Sequence, residues 1–239
     1  MKWLALALAL ALAACEQPPR EMYPVNPGGG GAVGSNSMPP DGAIDGNDGS
    51  TSTISGRVCI VSDARTATCG AGIAGLVVTL GASTTTTMAD GSFTIARPTG
   101  TSLIWRVSGP SIVSSAMQFS ADTTIPAIDN TLYDQMLAAT LANTQLGDGA
   151  IIARFTKANA AVVGATVLAS PAPFSAIYYD DVSVTEWATD VTGSYGVAWI
   201  PSIAPTASAQ LTLQSGTSST FTGIPVYADT ITFALLVVP

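Results

Sequence analysis

From Thr53 onward the apolar residues come in short runs of strand length, rich in Val, Ile, Thr and aromatics and broken by Gly, Asp, Ala and Pro: ISGRVCIV, GLVVTL, TTTTM, SFTIA and SLIWRVS. Runs of this kind between turn residues predict an all-β sandwich. Met88-Ala89-Asp90-Gly91-Ser92 is the clearest turn, because Asp90 can bond its own backbone and Gly91 can take a positive φ that closes a hairpin. Residues 128–147 break the β texture. Leu132, Met136, Ala139 and Leu141 lie near helical spacing with Tyr133 and Leu137 beside them, which predicts one amphipathic helix of about four turns. Asp129, Asn130 or Thr131 caps its start, Thr131 and Asp134 are spaced as a capping box, and Gly147 stops it. From residue 148 the strand pattern resumes in AIIARF, GATVLAS, SAIYY, VSVTEWA, YGVAWI, SAQLTLQ and TITFALLVV.

The strand runs repeat. ATDVTGSYGVAWIP parallels TMADGSFTIARP, with Asp190 and Gly193 as the turn residues, and GATVLA parallels GLVVTL. The expected organisation is therefore mainly β: a first small β-sandwich over residues 53–127, a connecting helix over 128–147, and a second, looser sandwich over 148–239. Units of roughly 70–90 residues are marginal alone, so packing onto the helix helps both.

Ahead of the folded part the pattern is different again. Residues 3–14 are Leu and Ala apart from Trp3, preceded by Lys2. That run is shorter than the roughly 20 residues a spanning helix needs and has the length of a signal-peptide core. Leu12-Ala13-Ala14-Cys15 resembles the lipobox of bacterial lipoproteins: an aliphatic residue, two small ones, then Cys. The resemblance implies cleavage before Cys15, acylation of its sulfur and anchoring by the lipid, since each buried CH₂ contributes ~0.8 kcal/mol. Glu16 follows, where Asp is the familiar inner-membrane retention signal, so the outer membrane is the expected destination. Residues 15–52 then form a Gly/Pro/Ser-rich tether with an average reach of roughly 30–35 Å. Asp41, Asp45 and Asp48 within it lack the spacing of a calcium loop and are solvated linker carboxylates.

Composition narrows the chemistry. There are 8 Lys plus Arg, 16 Asp plus Glu and no His, for a formal charge of −8. Loss of residues 1–14 with Lys2 makes that one unit more negative. So few cations give no phosphate-neutralising surface, and nucleic acid is not an expected partner. Without His there is no Ser-His-Asp or Cys-His pair and no His-containing zinc site. Lys157 and Glu186 lie in no catalytic motif, which leaves paired Asp as the one route to catalysis. The protein is expected not to be an enzyme and to hold neither cofactor nor metal. Its expected partners are the membrane, through the lipid, and another envelope protein or glycan. Cys59 and Cys69 remain as an even pair in an exported chain and predict a disulfide. It closes a short loop, contributes roughly 3 kcal/mol on the chain-entropy model, and is expected to stabilise the first unit only.

Gly56-Arg57-Val58, Gly75 to Leu80, the run Thr84 to Thr87, Asp90-Gly91 and Phe93 together resemble the carboxypeptidase regulatory-like domain, a transthyretin-like β-sandwich of the immunoglobulin-like kind. Gly164-Ala165-Thr166-Val167 and Ala188-Thr189-Asp190 are a looser match in the second unit. The segment between Cys59 and Cys69 is an insertion relative to that pattern. The resemblance implies a sandwich fold and, for bacterial envelope proteins, a stalk, adhesive or accessory role without peptidase activity. These motifs are structural and say little about function.

The best candidate binding cluster is Tyr178, Tyr179, Asp180, Asp181 and Trp187. Aromatic faces beside carboxylates suit a sugar. The competing reading places one tyrosine inward as core and makes Asp180-Asp181 the turn after the strand; calcium held by Asp180, Asp181 and Asp190 is a third. Trp105 and Trp199 sit in apolar strands and read as core.

Overall fold

The computed structural model describes residues 52–100, 102–120, 122–181 and 186–239. The signal-peptide and lipidation motif, including Cys15, and all but the end of the tether lie outside the described residues, as does most of the VSVTEWA run. The protein is mainly β. Its strands are β1 (Thr53–Ile60), β2 (Val77–Leu80), β3 (Ser83–Thr86), β4 (Ser92–Ala96), β5 (Ile104–Ser108), β6 (Ile112–Gln118) and β7 (Thr124–Asp129) before helix α1 (Asn130–Thr140). After it come β8 (Gly149–Lys157), β9 (Ala160–Ala161), β10 (Thr166–Ser170), β11 (Tyr178–Asp180), β12 (Trp187–Ala188), β13 (Val197–Ile203), β14 (Thr206–Ser215), β15 (Thr217–Val226) and β16 (Thr230–Val237).

One strand order occurs twice. In the first half β1 pairs antiparallel with β4 and parallel with β7, and this layer faces a second sheet in which β2 pairs with β5 and β5 with β6. In the second half β8 pairs antiparallel with β13 and parallel with β16, and this layer faces a sheet in which β10 pairs with β14 and β14 with β15. Val58, Phe93, Ile95, Ile125 and Ala127 meet Leu76, Val78, Leu80, Trp105 and Val107 in the first core. Ile151, Phe155, Ala198 and Ile200 meet Val167, Leu211, Leu213 and Ile224 in the second.

The halves are joined through the sheet itself. β16 pairs parallel with β6, from Thr230↔Ser114 to Phe233↔Met117, so a continuous sheet runs β12-β11-β13-β8-β16-β6-β5-β2-β3. The described residues from 52 to 239 belong to one compact unit. A third core lies where the halves meet, built from Cys59, Val61 and Ala64, Ile128 and Met136, and Ile152, Trp199, Ile231 and Phe233. β8 and β13 are thus covered on both faces, and every residue of β13 is buried. Near-continuous apolar runs such as AIIARF and VAWI are the sequence form of such strands, whereas one-sided strands alternate.

The helix is shorter than its periodicity predicts. Asp129, the last residue of β7, caps it by accepting the Leu132 N–H at 2.7 Å, and no capping box forms. It ends where Leu141 turns left-handed (φ 53°) with its N–H on the Leu137 carbonyl, well before Gly147. Met136 is its one fully buried residue, so nothing beyond Thr140 has an apolar face to hold it on the sheet.

Candidate functional site

The two sandwiches close on one repeated device. The buried Thr87 donates its hydroxyl to the Ile73 carbonyl and accepts the Leu76 N–H, while its backbone pairs with Gly75 and Leu76. The buried Thr192 does the same with Val162, Ala165 and Gly164. Four residues after each threonine comes a glycine at positive φ, Gly91 (83°) and Gly196 (67°), whose carbonyls accept from Val58 and Phe155. An ideal Cβ would lie 2.4 Å from the Val58 carbonyl oxygen at Gly91 and 2.7 Å from that of Phe155 at Gly196, so only glycine fits. The repeat is therefore Thr87–Gly91 onto Thr192–Gly196. Asp190, expected to match Asp90, instead stands exposed in a bend ahead of the threonine, and the position equivalent to Asp90 is Tyr195.

The five candidate residues sit beside the second turn. Tyr178 and Tyr179 do point to opposite faces of β11, yet both are buried, because this sheet has a core on each face. The Tyr179 hydroxyl accepts the Val167 N–H at 2.9 Å, and the Tyr178 hydroxyl donates to the Thr140 carbonyl. Burial, with Asp190 nearby, raises the Tyr179 pKa. Trp187 is half-buried and packs against Trp199 with ring centres 5.2 Å apart and planes tilted by 53°. Trp105 and Trp199 are fully buried, and their indole N–H groups, like that of Trp187, have no partner among the described residues.

Asp180 is not in a turn. It ends β11, is 1 % exposed, and its carboxylate accepts the N–H groups of Gly193, Tyr195 and Val197 at 2.7–3.0 Å. Three donors converging on one buried carboxylate hold the Thr192–Gly196 turn from outside it. Asp181 offers its carbonyl to Arg65, which lies in the Cys59–Cys69 loop. Arg65 also forms a bidentate pair with Asp63, which raises its pKa foremost through that hydrogen bond, and lies over the Tyr195 ring. The disulfide is formed, with Cα atoms 5.2 Å apart. Its loop packs against the second half as well as the first.

One cleft, with a volume of about 180 Å³, lies between Tyr133, Gln145, Asp148, Asp229 and Thr230. Asp148 accepts the Ser202 hydroxyl at 2.5 Å, and Ser202 in turn accepts the Gln145 N–H. Burial, with a smaller push from Asp134, lifts the Tyr133 phenol to about 12, so it remains a proton-bearing donor. The sequence pattern singled out none of Arg65, Asp148 or Thr192, and gave Thr87 only as the end of the Thr84–Thr87 run. The recurring Thr-x-x-x-Gly spacing was the available signal for the threonines; the other two depend on contacts distant in sequence. Among the described residues no three His, Cys, Asp or Glu gather as a metal-ligand set, and no helix is long and apolar enough to cross a membrane. No family model matches the chain, and no curated protein matches it either.

Proposed function

We propose that the protein is a non-catalytic lipoprotein of the bacterial cell envelope, acylated on Cys15 and held by that lipid, more readily at the outer than the inner membrane. Its folded part serves a structural or adhesive role at the end of a tether. The observation that carries the anchoring is Leu12-Ala13-Ala14-Cys15 directly after a short Leu/Ala run, followed by a Pro/Gly/Ser-rich stretch. Support for the structural role comes from how the polar groups are used. Asp180, Thr87, Thr192 and the Asp63–Arg65 pair are all engaged in holding turns and the junction. The resemblance to carboxypeptidase regulatory-like domains is consistent with the doubled sandwich and implies the same kind of role. The alternative, a ligand-binding lipoprotein that presents glycan or peptide to an envelope complex, rested on an aromatic platform at Tyr178, Tyr179 and Trp187. The first two are core residues here, which favours the structural reading.

Replacing Cys15 tests the anchor. Cys15→Ser is expected to leave the chain unprocessed or to release it into the soluble fraction. Normal membrane retention of that variant with continued palmitate incorporation would contradict the proposal.

A further inference from the structure

The sheet formed by β10, β14 and β15 differs from the rest of the chain in charge. Residues 191–228, which contain β14 and β15, include no Asp, Glu, Lys or Arg, and neither does β10. Its outward side chains are Thr, Ser, Gln and Leu168, and hydroxyl pairs such as Thr212 with Thr220 cross it. All this belongs to a chain of formal charge −8.

β15 ends the sheet, and among the described residues it pairs only with β14. Alternate N–H and C=O groups along an end strand point away from its partner and can template another strand. Natural edges are guarded by charge, proline, a bulge or short length. β15 keeps its guards at the base. Pro225 lacks an N–H, and at Gly223 (φ 78°) the N–H turns to the Ser208 hydroxyl while the register with β14 shifts nearby. The outer stretch Thr217–Thr222 carries none of these, and only Ser219 and Phe221 in it are partly buried.

We infer that β15 pairs antiparallel with β15 of a second copy across a two-fold axis, joining two three-stranded sheets into one of six. The occupant follows from charge. Two copies of an acidic chain repel wherever their carboxylates meet, and this sheet is where they can approach without bringing carboxylates together. Antiparallel pairing of a strand with itself is self-complementary, as a two-fold interface requires. The pairing goes beyond the role proposed above and does not need the lipid.

The test uses the full chain with Cys15→Ser, so that failure to associate bears on the edge and not on the anchor. Sedimentation equilibrium from micromolar to millimolar protein is expected to show a concentration-dependent dimer. Ser218→Glu with Thr222→Glu, both exposed positions, puts like charges at the axis and is expected to give a monomer with an unchanged melting temperature. Ser218→Lys with Thr222→Lys is expected to do the same, and mixing the two variants is expected to restore a dimer. The mixture decides the matter even if either variant melts lower. A parent that stays monomeric throughout, a Glu variant that dimerises like the parent, or a mixture that stays monomeric overturns the pairing. Association through the N-terminal apolar run would survive the Glu substitutions and so counts against it.

Discussion

The turns Thr87–Gly91 and Thr192–Gly196 have the same threonine with the same bonds and the same positive-φ glycine, yet they are anchored by different carboxylates. In the first, Asp90 belongs to the turn, is exposed, and accepts the Ser92 N–H and hydroxyl from two residues away. In the second, Asp180 comes from a neighbouring strand, is buried, and takes three N–H groups. A turn at a solvent edge can rely on local chemistry. A turn packed against a second layer and the Arg65 loop is partly shielded from water, and its inward donors take a partner supplied by the fold.

That contrast predicts a graded response. Asp180→Ala removes the acceptor of one buried and two partly buried N–H groups. The buried one costs about 1–3 kcal/mol and the others less where water reaches them, so urea unfolding is expected to show a loss of about 3–4 kcal/mol. A loss no larger than that of a typical surface substitution would erase the distinction between the turns. Removing the disulfide with Cys59→Ser and Cys69→Ser together is expected to cost about 3 kcal/mol. Because the loop packs on both halves, calorimetry is expected to show one transition moving down as a whole; a split into two transitions would mean that the halves unfold separately. Thr87→Val and Thr192→Val each leave a buried N–H unbonded, at about 1–3 kcal/mol. Thr192→Val is expected to couple with Asp180→Ala in a double-mutant cycle, because the two groups hold one segment, whereas Thr87→Val and Asp180→Ala are expected to add. The smallest effect belongs to Asp90. Hydrogen bonds from the Ser92 hydroxyl and N–H lower its pKa below the ordinary 3.8. A carboxylate with a depressed folded pKa contributes stability that is complete above the unfolded value and fades as pH falls through the folded one. Asp90→Asn is therefore expected to change the melting temperature slightly at neutral pH and to make no difference at the acid end of that range.

Much of the strand pattern was legible because it is local. The runs around Val58, Val78, Phe93 and Trp105 alternate or end in turn residues, and Asp90-Gly91 carries its own reason for bending. The helix start was legible for the same reason, since Asp129 needs only a donor three residues on. What escaped depends on distance. Nothing in Tyr178-Tyr179-Asp180 says that the strand has a core on both faces, so one tyrosine reads as core while the aromatic and acidic cluster leaves a sugar platform open as the weaker reading. The partner of Asp180 lies beyond the next turn, and Arg65 meets Asp181 from the other half of the chain. The repeat was visible but set in the wrong register, because Asp draws the eye to turns while the shared anchor is a threonine.

The direct measurement on the account as a whole is the mass of the N-terminal peptide of the protein isolated from the envelope. A peptide that begins at Cys15 and carries a diacylglycerol on sulfur, with or without a further acyl chain on its amine, is the predicted result. An intact segment running through Leu12-Ala13-Ala14-Cys15 with a free thiol would contradict the anchoring, and with it the placement of this doubled sandwich at a membrane.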